Sequence, residues 1–350
     1  MRRPYLDNIR WTTQLLVVIY HVLFLYSAIE PELGLGPFAP QQYQEAFQYL
    51  VYPWFMALLF VVSGASSRLF LETHSEKEYV RARTRKLLVP STLGILAFQW
   101  LQGLVNMRIS GGGFDGLPLA ARILITLASS QGVLWFLQLC WIYSMLLLPV
   151  RKLEQNRLYR FCEKMPVWGM LLLVFPLWGS AQILNVPMVT VYRVGIYGLC
   201  FFLGYFLFSQ EAVTARLERF WLPLSLGAAG LFVAFLLAFW GQPYAHHQVL
   251  DTFLCNAYAW VSILAVFAAM KRFGNRVTPF SAWMNSWCWG LYLFHYLGIS
   301  ACGYFLSTLG IHTPWLCYPL TALSGLLGAW VLYRIIGRIP ILRWCVLGMK

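Results

Sequence analysis

The sequence predicts an all-α polytopic integral membrane protein, and composition is the first reason. Of its 350 residues, 59% are apolar and 17% are aromatic, whereas only 11% carry a charge. A soluble globular protein has about 25% charged residues. The composition therefore excludes an ordinary soluble enzyme, although length alone would suggest two or three soluble domains.

The second reason is a series of ten apolar stretches. Each is close to the roughly 20 residues with which a helix crosses the hydrocarbon core of a bilayer. Their approximate bounds are 11–29, 49–71, 87–106, 132–150, 167–184, 190–208, 220–240, 252–269, 285–304 and 315–335. We therefore predict about ten transmembrane helices in a single domain over residues 1–350, with no separate soluble domain.

The third reason is the distribution of the 26 basic residues. With the N-terminus in the cytoplasm, all of them except Arg108, Arg122 and Arg193 fall in cytoplasmic segments. The positive-inside rule requires such a bias. We predict that both termini are cytoplasmic and that the protein is a multi-pass protein of the plasma membrane. Because topology explains the net charge of +13, we predict no nucleic-acid partner.

The first stretch and the external loops complete the predicted organisation. The stretch after Arg2 and Arg3 has no small-residue cleavage site, so it is expected to be an uncleaved span. The longer external loops are 30–48 and 107–131, and the second contains the turn-forming run Gly111-Gly112-Gly113. Within it, residues 119–129 are too few to span and are predicted to be interfacial or re-entrant. No cysteine spacing predicts a metal site.

Ionisable side chains near the centre of a span are expensive and indicate function. His21 lies near the middle of the first span, eleven residues after Arg10. Eleven residues make close to three helical turns, so both side chains share a face. A low dielectric favours a neutral imidazole, which can accept a proton from a hydroxyl, and an arginine can bind phosphate. Alternatively, His21 bonds a neighbouring helix and Arg10 anchors the cytoplasmic end.

Three further motifs contain candidate site residues. In the run YVRARTRKLLVP, Arg83 and Lys86 would share one helical face, and Arg81 and Arg85 another. This run either binds a polyanionic cytosolic donor or is an ordinary basic loop. In GLYLFHY, Tyr292 and His295 would share a face of the ninth span. They either orient a substrate or bond within the core. Ser63-Gly64 is expected to permit a close approach of two helices.

The order of these motifs resembles the membrane acyltransferase family 3. Its most specific element is Arg10-x(10)-His21 after YLDNIRW, and the resemblance extends over essentially the whole chain. The elements that follow are LFVVSG, the basic run with Pro90, LWF, FFLGYFLF and GLYLFHY. The chain departs from the pattern in two places. Leu59 replaces the first aromatic of FFxxSG, and Lys86 replaces the second arginine of R-x-x-R, which keeps the charge but loses the bidentate fork.

The resemblance implies an O-acyltransferase that moves an acyl group, usually acetyl, from cytosolic acyl-CoA to a hydroxyl of an extracytoplasmic carbohydrate. His21 would be the general base. Candidate ligands of the donor's phosphates are Arg10, Arg83, Arg85 and Lys86. Candidate stabilisers of the thioester oxyanion are Tyr292, His295 and Ser63. Acyl-CoA would be a substrate, with no permanently bound cofactor and no metal.

Two functions of other classes stay open at this point. A small-solute transporter or flippase would use the same residues only to bind. No aspartate or glutamate lies near the centre of a span, which argues against ion coupling but not against facilitated transport. A structural membrane partner is the third alternative.

Overall fold

The protein is all-α apart from one short hairpin, as predicted, and 79% of the chain is helical in the computed structural model. The structure describes residues 3–111, 114–187 and 191–349. Arg2, Gly112 and Gly113, named above, lie outside the described residues. The chain divides into two compact units, each assembled from three separate stretches.

Unit 1 comprises residues 1–13, 46–80 and 142–282. Its helices are Ala46–Val51, Phe55–Leu71, Arg157–Glu163, Val167–Leu172, Val174–Ser180, Val194–Leu203, Glu211–Arg219, Trp221–Phe239, His247–Leu250 and Phe253–Phe273, with a π-turn at Gly204–Phe208. The strands Asn185–Pro187 and Val191–Arg193 form an antiparallel hairpin. The side chain of Thr252 caps the helix that follows it by accepting from the amide of Cys255.

Unit 2 comprises residues 14–45, 81–141 and 283–350. Its helical segments are Pro31–Leu33, Tyr43–Glu45, Thr84–Leu88, Ile95–Gln99, Trp100–Ser110, Phe114–Gly116, Leu119–Ser129, Gly132–Leu134, Pro314–Ile336 and Pro340–Leu347. Four helices contain a unit boundary: Pro4–Leu25, Glu76–Arg83, Trp135–Glu154 and Pro279–Thr308. Several helices begin at a proline, whose fixed φ suits the first helical position and whose missing N–H is not needed there.

Close packing within each unit depends on glycines at helix contacts. In unit 1, a Cβ on Gly64 would lie 1.9 Å from the carbonyl oxygen of Phe201, and one on Gly204 would lie 2.1 Å from that of Val61. In unit 2, a Cβ on Gly298 would lie 2.5 Å from the carbonyl oxygen of Ser324. Only glycine permits these backbone approaches. The close helix approach predicted at Ser63-Gly64 is confirmed.

Of the described helices, five are long and apolar enough to cross a membrane, or six if one bent pair is counted as a span. The five are Tyr43–Leu71, Gly132–Glu154, Trp221–Phe239, Phe253–Phe273 and Pro314–Ile336. The bent pair joins Val194–Phe208 to Glu211–Arg219 at an angle of 94°. A membrane protein is therefore supported, whereas the prediction of ten spans with cytoplasmic termini is not confirmed.

Three of the ten predicted spans show why fewer helices qualify as membrane-spanning in the structure. The expected span 167–184 is two short helices that meet at Leu173, because Pro176 cannot donate to the carbonyl four residues earlier and its ring crowds that carbonyl. The helices Pro4–Leu25 and Pro279–Thr308 are long enough to span but are not among the five. Both contain polar, aromatic and histidine side chains in place of aliphatic ones.

The segment 119–129, which was predicted to be too short to span, is the helix Leu119–Ser129, of 11 residues.

Candidate active site

Two histidines from distant parts of the sequence meet inside unit 2. His21 lies on the helix Pro4–Leu25, and His295 lies on the helix Pro279–Thr308. The Nε2 atom of His295 is 3.0 Å from the Nδ1 atom of His21, and the ring centroids are 5.1 Å apart. His295 is 1% exposed, whereas His21 is partly exposed. The sequence indicated both residues in separate motifs, and the structure joins them as a hydrogen-bonded pair.

The hydrogen bonds of the pair determine which nitrogens hold protons. The Nδ1 atom of His295 lies 2.8 Å from the carbonyl oxygen of Leu291 and 3.0 Å from that of Tyr292. Because a carbonyl only accepts, this Nδ1 must hold a hydrogen. The Nε2 atom of neutral His295 is then an acceptor, so His21 donates to it from Nδ1. The Val17 carbonyl also accepts a hydrogen bond from His21. Neutral His21 is left with an unprotonated Nε2.

Aromatic rings surround the histidine pair. The ring of Tyr296 lies 4.8 Å from that of His21, and Tyr20 meets it edge-on at 5.2 Å. Among the described residues, no ion pair joins either histidine to a carboxylate. The pair therefore lies among aromatic rings without a carboxylate partner in the described part of the chain, which favours the neutral form of both imidazoles. This arrangement suits proton transfer from a hydroxyl, which is the task of a general base.

The turn that holds His295 is fixed by close contacts with its neighbours in unit 2. A Cβ on Gly325 would lie 2.7 Å from the Cγ1 atom of Ile299 and 3.3 Å from the carbonyl oxygen of His295. The amide of Gln99 donates to the Leu293 carbonyl over 3.0 Å. These contacts lock the helix next to His295, so the position of its ring is set by packing.

Tyr292 lies one turn before His295, but its hydroxyl points elsewhere. It donates a hydrogen bond to the Val133 carbonyl. Its ring stacks on that of Trp289, with centroids 6.1 Å apart, and lies 5.7 Å from that of Phe136. The Tyr292 backbone carbonyl, rather than its hydroxyl, contacts the histidine pair. A role of this hydroxyl at a thioester stays a prediction.

The basic run is not a regular α-helix, in contrast to the helical faces predicted for it. Residues Thr84–Leu88 form a π-turn in which the amide of Val89 donates to the Thr84 carbonyl. This wider turn changes the angular spacing from which the shared face of Arg83 and Lys86 was predicted. The Nε atom of Arg85 is buried and has no hydrogen-bond partner among the described residues.

Lys86 is half-buried, and its ammonium has partners within the protein. Its ammonium is 4.3 Å from the centroid of the Trp289 ring and donates to the Leu347 carbonyl over 3.2 Å. Burial, opposed by Cys288 and reinforced by the neighbouring Arg85, lowers the pKa of Lys86 to about 8. Lys86 thus has two neutral partners that its position in the motif did not indicate.

Arg10 has a carboxylate partner on its own helix. One terminal nitrogen is 3.0 Å from Asp7, and the other donates to the hydroxyl of Ser66 over 3.1 Å. Asp7 belongs to the YLDNIRW motif, and its spacing of three residues could have indicated the pair. Arg10 and His21 lie on the same helix, eleven residues apart, as predicted.

A second arginine of unit 1 has a richer set of contacts that the sequence did not single out. Arg68 donates to the hydroxyl of Tyr205 over 3.2 Å and pairs with Glu72 at 3.3 Å. Its guanidinium also lies 3.9 Å from the centroid of the Tyr159 ring. Because the sequence does not distinguish Arg68 from any other basic residue near a helix end, only the folded structure shows that it links three segments of unit 1.

The sequence model of a family described as an acyltransferase domain matches residues 3–334, nearly the whole chain. The chain belongs to the acyltransferase 3 family. Membership supports a membrane acyltransferase, in agreement with the resemblance of the motifs. No curated protein and no solved structure matches the chain significantly. Among the described residues, no group of three metal-ligating side chains could hold a metal ion.

Proposed function

We propose that the protein is an O-acyltransferase of the plasma membrane that transfers an acyl group, acetyl in the simplest case, from cytosolic acyl-CoA to a hydroxyl of an extracytoplasmic carbohydrate. The observation that supports it best is the histidine pair. In an acyltransferase 3 chain, a neutral imidazole with an unprotonated Nε2 is the group that an alcohol nucleophile requires.

The proposed reaction uses the two histidines in different roles. The Nε2 atom of His21 takes the proton of the acceptor hydroxyl while the oxygen attacks the thioester carbonyl. The C–S bond then breaks, and the CoA thiolate leaves with the proton returned by His21. His295 remains neutral and accepts a hydrogen bond from His21 Nδ1, which keeps the ring in the productive tautomer. His295 is thus a positioning residue, and the products are an ester and free CoA.

The donor side is supported by the basic run, which belongs to the same unit as the histidines. Arg83 and Arg85 present guanidinium groups suited to a pyrophosphate. The ring of Trp289, next to the run, lies on the helix of His295 and precedes it by six residues, a rise of about 9 Å. An extended pantetheine arm bound near the run can cover this distance.

The decisive experiment uses purified protein in liposomes, with acetyl-CoA on one face and an oligosaccharide acceptor on the other. Free thiol from CoA and ester on the acceptor are measured together. We expect wild-type protein to produce both in equal amounts. We expect His21→Ala to reduce the rate about 10³-fold, within the range for loss of a general base. His312→Ala, which removes an exposed histidine, is the matched control and keeps the wild-type rate.

Two outcomes would contradict the proposal. If His21→Ala transferred acyl groups at the wild-type rate, His21 would not be the base. If a solute crossed the membrane without release of CoA thiol, the protein would be a transporter or flippase instead.

A further inference from the structure

The end of the chain lies directly against the basic run of unit 2. Gly348 follows the helix Pro340–Leu347 and has a φ of +61°. A Cβ at Gly348 would lie 2.3 Å from the carbonyl oxygen of Arg85 and 3.0 Å from the Cα atom of Lys86. Both the backbone angle and the contact therefore require glycine at this position.

One carbonyl of this segment accepts two hydrogen bonds. The Leu347 oxygen accepts from the Lys86 ammonium over 3.2 Å and from the indole nitrogen of Trp289 over 3.0 Å. The same indole ring lies under the ammonium, 4.3 Å away. Lys86, Trp289 and Leu347 thus form a closed triangle in which every polar group has a partner.

The segment around Leu347 is buried as deeply as the interior of a domain. Leu347 is fully buried, and Val346 and Cys345 are nearly so. A Cβ on Gly94 would lie 3.0 Å from the carbonyl oxygen of Cys345, so the helix also fits closely against the chain after the basic run. Releasing the segment would expose three apolar side chains to water. The burial argues that it is a permanent part of the unit rather than a lid that opens for each donor.

We infer that Lys86 is a positioning residue that anchors the C-terminal segment Pro340–Met349 to the basic run, and that it is not a ligand of the donor's phosphates. The segment in turn holds the π-turn Thr84–Leu88, which leaves anion binding to Arg83 and Arg85. A lysine suits this task because its compact ammonium contacts one carbonyl and one ring at once, whereas the larger planar guanidinium would need more space between the run and the segment. The inference rests on the proposed function only for the identity of the donor.

The test combines hydrogen exchange with kinetics on the full-length protein in nanodiscs. We expect Lys86→Met and Gly348→Ala each to speed amide exchange of residues 340–349 about tenfold, as expected for locally destabilised segments. Exchange in unit 1 stays unchanged. Trp289→Phe, which keeps an aromatic ring but removes the N–H donor, gives a smaller increase. Gly116→Ala is the matched control, since a Cβ there has no atom within 4 Å.

The kinetic arm separates an anchor from a phosphate ligand. We expect the KM for acetyl-CoA in Lys86→Met to change by less than about threefold. We also expect Lys86→Arg to fail to restore slow exchange of the segment. Unchanged exchange in Lys86→Met would overturn the inference, as would a tenfold or larger rise in KM that Lys86→Arg reverses. Exchange needs no turnover, so the anchor can be tested even if the protein transfers no acyl group.

Discussion

The two units differ in how they compensate their positive charges. In unit 1, several basic side chains pair with carboxylates of the same unit. The described pairs are Arg3 and Lys271 with Glu211, Arg10 with Asp7, Arg68 with Glu72, and Arg151 and Lys152 with Glu76. In unit 2, the described ion pair is that of Arg108 with Asp115. Residues 283–350 contain no aspartate or glutamate at all.

The basic run shows what this difference means locally. Its Lys86 is stabilised by a carbonyl and an aromatic ring, and its Arg85 has a buried nitrogen without a hydrogen-bond partner among the described residues. A polyanion that approaches unit 2 therefore meets positive charge that few local carboxylates offset. The comparison teaches that carboxylates of unit 1 offset several of its cations, whereas few carboxylates offset the cations of unit 2.

The largest effect should come from the histidine pair of unit 2. We expect His295→Leu to lower kcat about 100-fold with little change in KM, because His21 loses the acceptor that fixes its tautomer. His295→Gln, whose amide oxygen can accept from His21 Nδ1, should keep at least about ten times more activity than His295→Leu. Steady-state CoA release measures both. Equal activity of the two variants would show that His295 only fills space.

The pH dependence of the free energy of unfolding tests whether Lys86 is shielded from solvent in the folded protein. A lysine has a pKa of about 10.4 in an unfolded chain, whereas burial lowers that of Lys86 to about 8. Between these values the unfolded state binds more protons, so stability rises with pH. Relative to Lys86→Met, we expect the free energy of unfolding of the wild type to rise by about 2 kcal/mol between pH 7.5 and 10. Chemical denaturation at a series of pH values measures this difference.

The groups that face Lys86 are Cys288 and Arg85. Lys77→Met is the control for loss of an exposed lysine. Parallel stability curves of the wild type and Lys86→Met would contradict the burial of this charge.

Anion binding by unit 2 predicts a different response to neutralisation in the two units. We expect Arg85→Gln to raise the KM for acetyl-CoA about tenfold, because one charge-assisted contact with phosphate is lost. Arg151→Gln in unit 1, whose guanidinium faces Glu76 at 3.6 Å, should leave KM within about twofold. A larger increase in KM for Arg151→Gln than for Arg85→Gln would show that unit 1, rather than unit 2, binds the donor's phosphates.

The smallest effect should come from an ion pair of unit 1. Lys271 is nearly buried and pairs with Glu211, whose side chain is 59% exposed. Because solvent screens the exposed partner, we expect Glu211→Gln to destabilise the protein by no more than about 1 kcal/mol. Glu218→Gln, on the same helix, is the control. Thermal unfolding in detergent measures the difference, and a loss of several kcal/mol would show that the pair behaves as a buried one.

Much of the fold class could be predicted from the sequence, and the reason is the scarcity of charge. The number of spans could not be predicted, because mean hydropathy depends only on the composition of a helix. Pro4–Leu25 and Pro279–Thr308 contain the candidate site, and the polar and aromatic residues that it requires make them less apolar than an ordinary span. The breaks at Leu173 and at the π-turn Thr84–Leu88 depend on local geometry that periodicity does not show.

The candidate site was predictable as a set of residues but not as an arrangement. A histidine inside a span indicates function by its cost, which identified His21 and His295. Their pairing depends on contacts between the two helices, such as that at Gly303, where a Cβ would lie 2.5 Å from the Cδ2 atom of Leu25, and the sequence does not show which helix this glycine faces. The partner of Lys86 lies 261 residues away, at a main-chain carbonyl that any residue could supply.

His295 forms hydrogen bonds to main-chain carbonyls rather than to a carboxylate, and this limits how long a proton can stay on the histidine pair. A catalytic histidine backed by an aspartate becomes a neutralised ion pair when it accepts a proton. His295 is backed by the carbonyls of Leu291 and Tyr292, which have dipoles but no charge. An imidazolium at His21 would find no counter-ion among the residues that the structure describes. In the proposed reaction the protonated state is therefore brief: the proton passes at once to the departing thiolate, and the pair does not store protons between turnovers.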